Sequence, residues 1–229
     1  MGKYSFARKA GLRMPKRGSG QEPRTQKPKQ SGGYGEPRTM QEALRTVNPH
    51  YSEDYAYQIN CQRCVLAYEE QRKGLNVEAQ PNNDSQLVRQ GKIPYEHGAF
   101  YTDANGLPSS NQWGHTSHVN AYEGQSWDRI PRSNSTTRKV NDLTNALERY
   151  GDGARFMVSV QWKNGGGHVF NAEVVNGTAV FIDSQTGTVR DIATTLARSK
   201  NGQKTAIKYS RIDDKKLKSG VAEWAFIGR

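Results

Sequence analysis

The chain has 229 residues, 34% of them apolar and 24% charged, with a mean hydropathy of −0.90. That length suits one ordinary domain, or a smaller domain with an unpacked tail, and no apolar run approaches the ~18 residues of a membrane span, which excludes a transmembrane role. The net charge is +11, and two cysteines are too few for a disulfide-rich scaffold.

The positive charge is local. Residues 1–40 carry ten Lys/Arg against two acids, whereas the rest of the chain carries 23 against 20. Residues 1–38 are also rich in Gly, Pro, Gln and Ser, so they offer little apolar surface to offset the entropy of ordering. The expectation is a disordered basic arm over 1–38 and a folded domain over 39–229. Such an arm suits contact with nucleic acid or an acidic protein surface, or serves as a solubilising linker. The basic N-terminus lacks the apolar segment of a secretory signal, so none is expected.

Along the body, 39–47 predicts a short helix, with Thr39 as N-cap and Glu42 three residues on as a capping box. Residues 61–73 predict a second helix, its apolar face carrying Cys61, Cys64, Val65 and Tyr68, and Gly74 its stop. The stretch 80–135 is long, polar and aperiodic, which predicts an insertion of irregular or short elements. A third helix is expected over 140–150, striped by Val140, Leu143 and Leu147. The period then changes to two. Strands are expected over 154–162, 168–175 and 178–183, the last two joined by an Asn176-Gly177 turn, with further strands over 204–212 and 221–227. Helices first and an antiparallel sheet after make an α+β pattern.

Three features of this layout fit one another chemically. Cys61 begins a helix, where the partial positive charge favours a thiolate. His168 opens a strand after a run of glycines, and Asp183 closes the next strand of the same hairpin. Counting back from the turn pairs Val175 with Thr178, which sets Asp183 diagonal to His168 on one sheet face, with Gln185 beside it. A thiol, an imidazole and a carboxylate in that order suit nucleophilic catalysis: the imidazole moves the proton and the carboxylate fixes its tautomer. Each residue also has an ordinary reading. A helix-face cysteine is commonly core, a strand histidine commonly structural, and Asp183-Ser184 commonly turn chemistry.

The string Tyr57-Gln58-Ile59-Asn60-Cys61-Gln62-Arg63-Cys64-Val65-Leu66-Ala67-Tyr68-Glu69, with Arg72, Gly74 and Val77-Glu78-Ala79, resembles the papain-fold toxin family of glutamine deamidases. The later strings Gly167-His168-Val169-Phe170-Asn171-Ala172-Glu173 and Phe181-Ile182-Asp183-Ser184-Gln185-Thr186-Gly187 resemble the second half of that family. The resemblance implies a papain-like cysteine hydrolase fold, in which an N-terminal helix carrying the Cys packs on an antiparallel sheet carrying the His and Asp. It implies that Cys61 is the nucleophile, His168 the base and acid, and Asp183 the orienting residue. The reaction implied is removal of ammonia from a glutamine side chain of a target protein, with no metal or cofactor. Gln58 and Asn60 are the candidate oxyanion donors, and Gln185 is expected to line the site.

Domains of this kind occur in bacterial toxins and phage head proteins. The resemblance therefore places the chain in a bacterial cytoplasm or a virion, with the arm meeting nucleic acid or a capsid or portal component. Cys61 and Cys64 form a C-x-x-C, so Cys64 is a candidate redox partner. A zinc site is not expected, since His115 and His118 have no nearby cysteine. Trp113, Tyr122 and Trp127 suit a substrate-facing wall or a small satellite core. Two other functions stand beside deamidation. One is papain-like proteolysis or acyl transfer, which shares the thioester step; the other is a non-enzymatic virion or DNA-associated protein with a basic arm.

Overall fold

A computed structural model describes residues 34–82, 120–163, 167–199 and 207–228, and of Trp224 the backbone alone. The arm over 1–33, Trp113, His115, His118 and the bulk of the expected insertion lie outside the described residues. Two helices open the fold, α1 (Met40–Thr46) and α2 (Tyr55–Gln58). In α1 the Thr39 side chain accepts from the Glu42 N–H while the Glu42 carboxylate accepts from the Thr39 N–H, the capping box expected. The long helix α3 (Cys61–Arg72) follows, then a short strand β1 (Val77–Ala79).

The sheet comes next. It comprises β2 (Asp128–Arg129), β3 (Arg155–Gln161), β4 (Gly167–Val175), β5 (Thr178–Asp183), β6 (Thr188–Val189) and β7 (Ile207–Arg211). These pair antiparallel in the order β2-β7-β3-β4-β5-β6. Asn176 (φ 51°) and Gly177 (φ 74°) take the left-handed conformations of a type I′ turn, and Val175 pairs with Thr178 as the turn requires. Two helices lie among the strands, α4 (Thr136–Glu148) and α5 (Ile192–Ala197). The helix expected over 140–150 thus begins earlier, because Ser135 caps it through the Arg138 N–H. Among the described residues no helix is long and apolar enough to cross a membrane.

The sheet is covered on both faces. Met157, Val169 and Ile182 point to the core built around α3, while Phe156, Val158, Val160, Phe170 and Phe181 point to the core beneath α4 and α5. Tyr122 is fully buried in the α3 core, so it belongs to the main core and not to a satellite; Trp127 packs partly buried against it.

The expectation of one buried face on α3 understates its position. Residues 63–71 are all buried, including Arg63, Glu69, Glu70 and Gln71. Burying charge is tolerable only when it is paired. Glu69 takes a bidentate pair of bonds from Arg155 (2.8 and 2.9 Å), and Glu70 accepts from Lys73, Tyr34 and Tyr122. Glu173 of β4 accepts from Tyr68 and Arg72. Burial and these carboxylates push the Tyr68 and Tyr122 hydroxyls well above the usual phenol range.

Two further expectations need correction. Residues 221–227 are not one strand: α6 (Val221–Ala225) precedes a short β8 (Phe226–Gly228) that pairs with β1. Val221 and Ala225, four apart and both fully buried, are spaced for a helix turn, and Gly220 (φ 80°) turns the chain into it. Residues 34–38 are part of the folded body. The Gly35 N–H bonds the Gly74 carbonyl (2.9 Å), the Arg38 N–H bonds the Gln71 carbonyl (3.1 Å), and Tyr34 bonds Glu70.

Candidate active site

The site forms where the start of α3 meets the end of the β4–β5 hairpin. Cys61 is the first residue of α3, in the turn whose N–H groups have no intrahelical acceptor. His168 and Asp183 come from adjacent strands on the face shared with Phe170 and Phe181. The ladder between β4 and β5 ends at Asn171↔Ile182, which leaves Asp183 one residue and His168 three residues beyond the last pair.

Their geometry is a chain of hydrogen bonds. His168 Nε2 lies 3.2 Å from Asp183 Oδ1, and the imidazole also bonds the Cys61 thiol, which leaves Nδ1 for the sulfur. The Val169 N–H donates to the same sulfur. The imidazole is 9% exposed and held flat, between Trp162 (centroids 6.4 Å apart, planes 16°) and Phe170 (6.0 Å, 28°). Such packing fixes the ring before anything binds.

The electrostatics follow from these contacts. Burial opposes ionisation of Cys61, but the His168 hydrogen bond and charge and the Val169 N–H outweigh it, so the thiol sits below its ordinary pKa. Burial lowers the proton affinity of His168, yet Asp183 and Cys61 together raise it to about 9. Burial would raise Asp183; His168 and Arg190 hold it well below the usual carboxylate range. The three shifts run in one sense, toward an ionised Cys61, a protonated His168 and an ionised Asp183.

Cys64 is the contrast. It is fully buried, its Sγ–H donates to Asn60 Oδ1 (3.1 Å), and burial together with the neighbouring Cys61 pushes its thiol well above the usual range. Both cysteines are free thiols.

The other expected residues separate. Asn60 is buried, and both its amide hydrogens are given away, to Asn48 Oδ1 (3.1 Å) and the Gln80 carbonyl (3.0 Å). Its side-chain amide therefore has no hydrogen left for an oxyanion. Gln185 turns its side-chain N–H to Asn60 Oδ1 (3.4 Å), and its backbone carbonyl accepts from the Asn48 amide (2.8 Å). Asn48, Asn60 and Gln185 thus tie the start of α3 to the turn after Asp183. Gln58, at the end of α2, is exposed.

The residue that sequence reasoning missed is Arg190. Its guanidinium bonds Asp183 Oδ2, its Nη2 lies 3.1 Å from His168 Nε2, and its Nη1 donates to Thr195 Oγ1 (3.0 Å). The signal for it was a second hairpin. Asp183 pairs with Thr188 and the Arg190 N–H bonds the Phe181 carbonyl, which sets Arg190 diagonal to Asp183. Among the described residues no group of three or more His, Cys, Asp or Glu side chains is gathered to hold a metal ion.

Comparison with known proteins identifies a family for the chain. Residues 59–188, more than half of the chain, match the family described as papain fold toxin 1, glutamine deamidase. No curated protein and no solved structure matches. The matched span runs from just before Cys61 to just after Asp183, across the helix and the hairpin described above, and on that match the chain belongs to the papain fold toxin 1, glutamine deamidase family.

Proposed function

We propose that the protein is an effector enzyme that deamidates a glutamine side chain of a target protein, with Cys61 as nucleophile, His168 as proton carrier and Asp183 as the residue that orients it. The observation that carries this reading is the contrast between the two cysteines. Cys61 is hydrogen-bonded to an imidazole and lies below its ordinary pKa, whereas Cys64 is sealed in the core and lies above it.

The steps follow from the contacts. The Cys61 thiolate attacks the amide carbon of the target glutamine, and the carbonyl oxygen becomes an oxyanion. The backbone N–H of Cys61, with the amide of exposed Gln58, is the donor pair we assign to it. As the C–N bond breaks, His168 Nδ1 gives its proton to the departing nitrogen, which leaves as ammonia. A thioester remains on Cys61. The now neutral His168 takes a proton from water, whose oxygen attacks the thioester and releases glutamate with the thiolate restored. Asp183 holds Nε2–H throughout, so that Nδ1 always faces the sulfur.

Proteolysis shares the thioester step and differs only in the leaving amine, but no observation favours it here. Incubated with a bacterial extract, the protein should release ammonia, and Cys61→Ala and His168→Ala should each abolish the release. New peptide termini without ammonia would replace deamidation with proteolysis.

A further inference from the structure

We propose that Arg190 is a positioning residue that neutralises Asp183, so that the Cys61–His168 pair is backed by an orienting hydrogen-bond acceptor without the full field of a second anion. This rests on the assignment of Cys61 and His168 above.

The geometry carries it. The Asp183 carboxylate is divided: Oδ1 accepts from His168 and from the Gln185 N–H (3.3 Å), while Oδ2 is held by Arg190. Arg190 is itself fixed on several sides. Thr195 of α5 accepts from Nη1, the guanidinium lies over the Phe170 ring at 5.4 Å, and the Arg190 backbone bonds β5. Among the described residues its buried Nε has no hydrogen-bond partner, so the placement serves Asp183 at a cost elsewhere. The groups facing the His168 ring are Cys61 from α3, Asp183 from β5, Arg190 after β6, Phe170 from β4, and Trp162 just after β3 with Arg198 stacked behind it.

The sign of the effect is fixed by charge. Nε2–H donates to Asp183, so the Arg190 hydrogens turn to the carboxylate and its positive charge stands beside the imidazole. An uncompensated Asp183 would make the thiolate harder to form, because the two anions repel. It would also bind the imidazolium more tightly, and a tightly held proton is a poor one to give to departing ammonia. Arg190 offsets both.

The test compares Arg190→Gln and Arg190→Lys with the wild type on two midpoints. Iodoacetamide alkylation against pH reads thiolate formation on Cys61, and the ring-proton resonance of His168 reads loss of the imidazolium. Arg190→Gln should raise both midpoints by about one pH unit, since a positive charge has been removed from beside His168 and the Asp183 charge that opposes the Cys61 thiolate is no longer offset. Arg190→Lys, which keeps the charge, should stay near wild type. Folded variants with unmoved midpoints, or equal shifts in Gln and Lys, would overturn the inference. A wild-type Cys61 with an ordinary thiol midpoint would overturn both it and the assignment beneath it. Shifted midpoints in a protein that releases no ammonia would support the role of Arg190 and overturn deamidation alone.

Discussion

At the scale of single residues, the account turns on a proton shared between two side chains. Asp183 and Cys61, against burial, raise His168 to about 9, so the imidazolium that the proposed mechanism uses to protonate the leaving ammonia is present through neutral pH and is lost above that value. Deamidation should therefore fall as pH rises through about 9, read as initial ammonia release against pH. The same shift has a stability consequence. A group whose folded pKa is raised contributes stability that is complete below its unfolded value, about 6.5 for imidazole, and disappears as pH rises through about 9. Asp183, whose folded pKa is lowered, has the opposite sign: its contribution is present above the unfolded carboxylate pKa and is lost as pH falls below it. The two cysteines give a second prediction. Cys61→Ala should cost on the order of 10⁴-fold or more in rate. Cys64→Ser, whose hydroxyl can still donate to Asn60, should keep Cys61 readily alkylated.

At the scale of elements, α3 matters most, because it carries the thiol and is buried almost all round. Its polar residues are held by the sheet: Glu69 by Arg155, and Arg72 by Glu173. Glu69→Ala would leave the Arg155 guanidinium without its bidentate partner and should destabilise the fold by about 3–5 kcal/mol, measured by urea unfolding. The far end of α3 depends on glycine. Gly74 has φ +102°, and a Cβ there would lie 2.2 Å from the Gly35 carbonyl oxygen. Gly74→Ala should therefore cost roughly 1–3 kcal/mol and release the 34–38 segment, seen as new proteolytic cleavage near Gly35.

Much of this was legible in the sequence, for reasons that differ by element. The α1 capping box and the Asn176-Gly177 turn are local chemistry, and the turn alone fixed the register that sets Asp183 against His168. What escaped was non-local. Only the apolar face of α3 was expected to be buried, because the partners of its polar residues, Arg155 and Glu173, lie some hundred residues away. The α6 helix read as a strand because Val221 to Phe226 is rich in apolar and aromatic residues with no clear alternation. Arg190 was missed because β6 is only two residues long, too short to show a period.

At the scale of the whole molecule, the site is a joint. The proposed nucleophile, Cys61, belongs to the helical layer on one sheet face, and the His168 imidazole points to the other face, so the two meet only at the sheet's end. That joint is closed by Asn48, Asn60 and Gln185, and by Gly187, where an added Cβ would come within 2.8 Å of the Leu44 carbonyl oxygen. Gly187→Ala should accordingly lower activity more than stability, because it displaces α1 from the turn that follows Asp183; ammonia release and thermal melting measured together would separate the two.

The central claim is that Cys61 deamidates a glutamine, and peptide masses across the proteome of bacterial cells test it most directly. Cells expressing the wild type should show a glutamine-to-glutamate mass change at a defined site, absent with Cys61→Ala. An unchanged proteome in cells where both proteins are folded, or new peptide termini in place of the mass change, would contradict it.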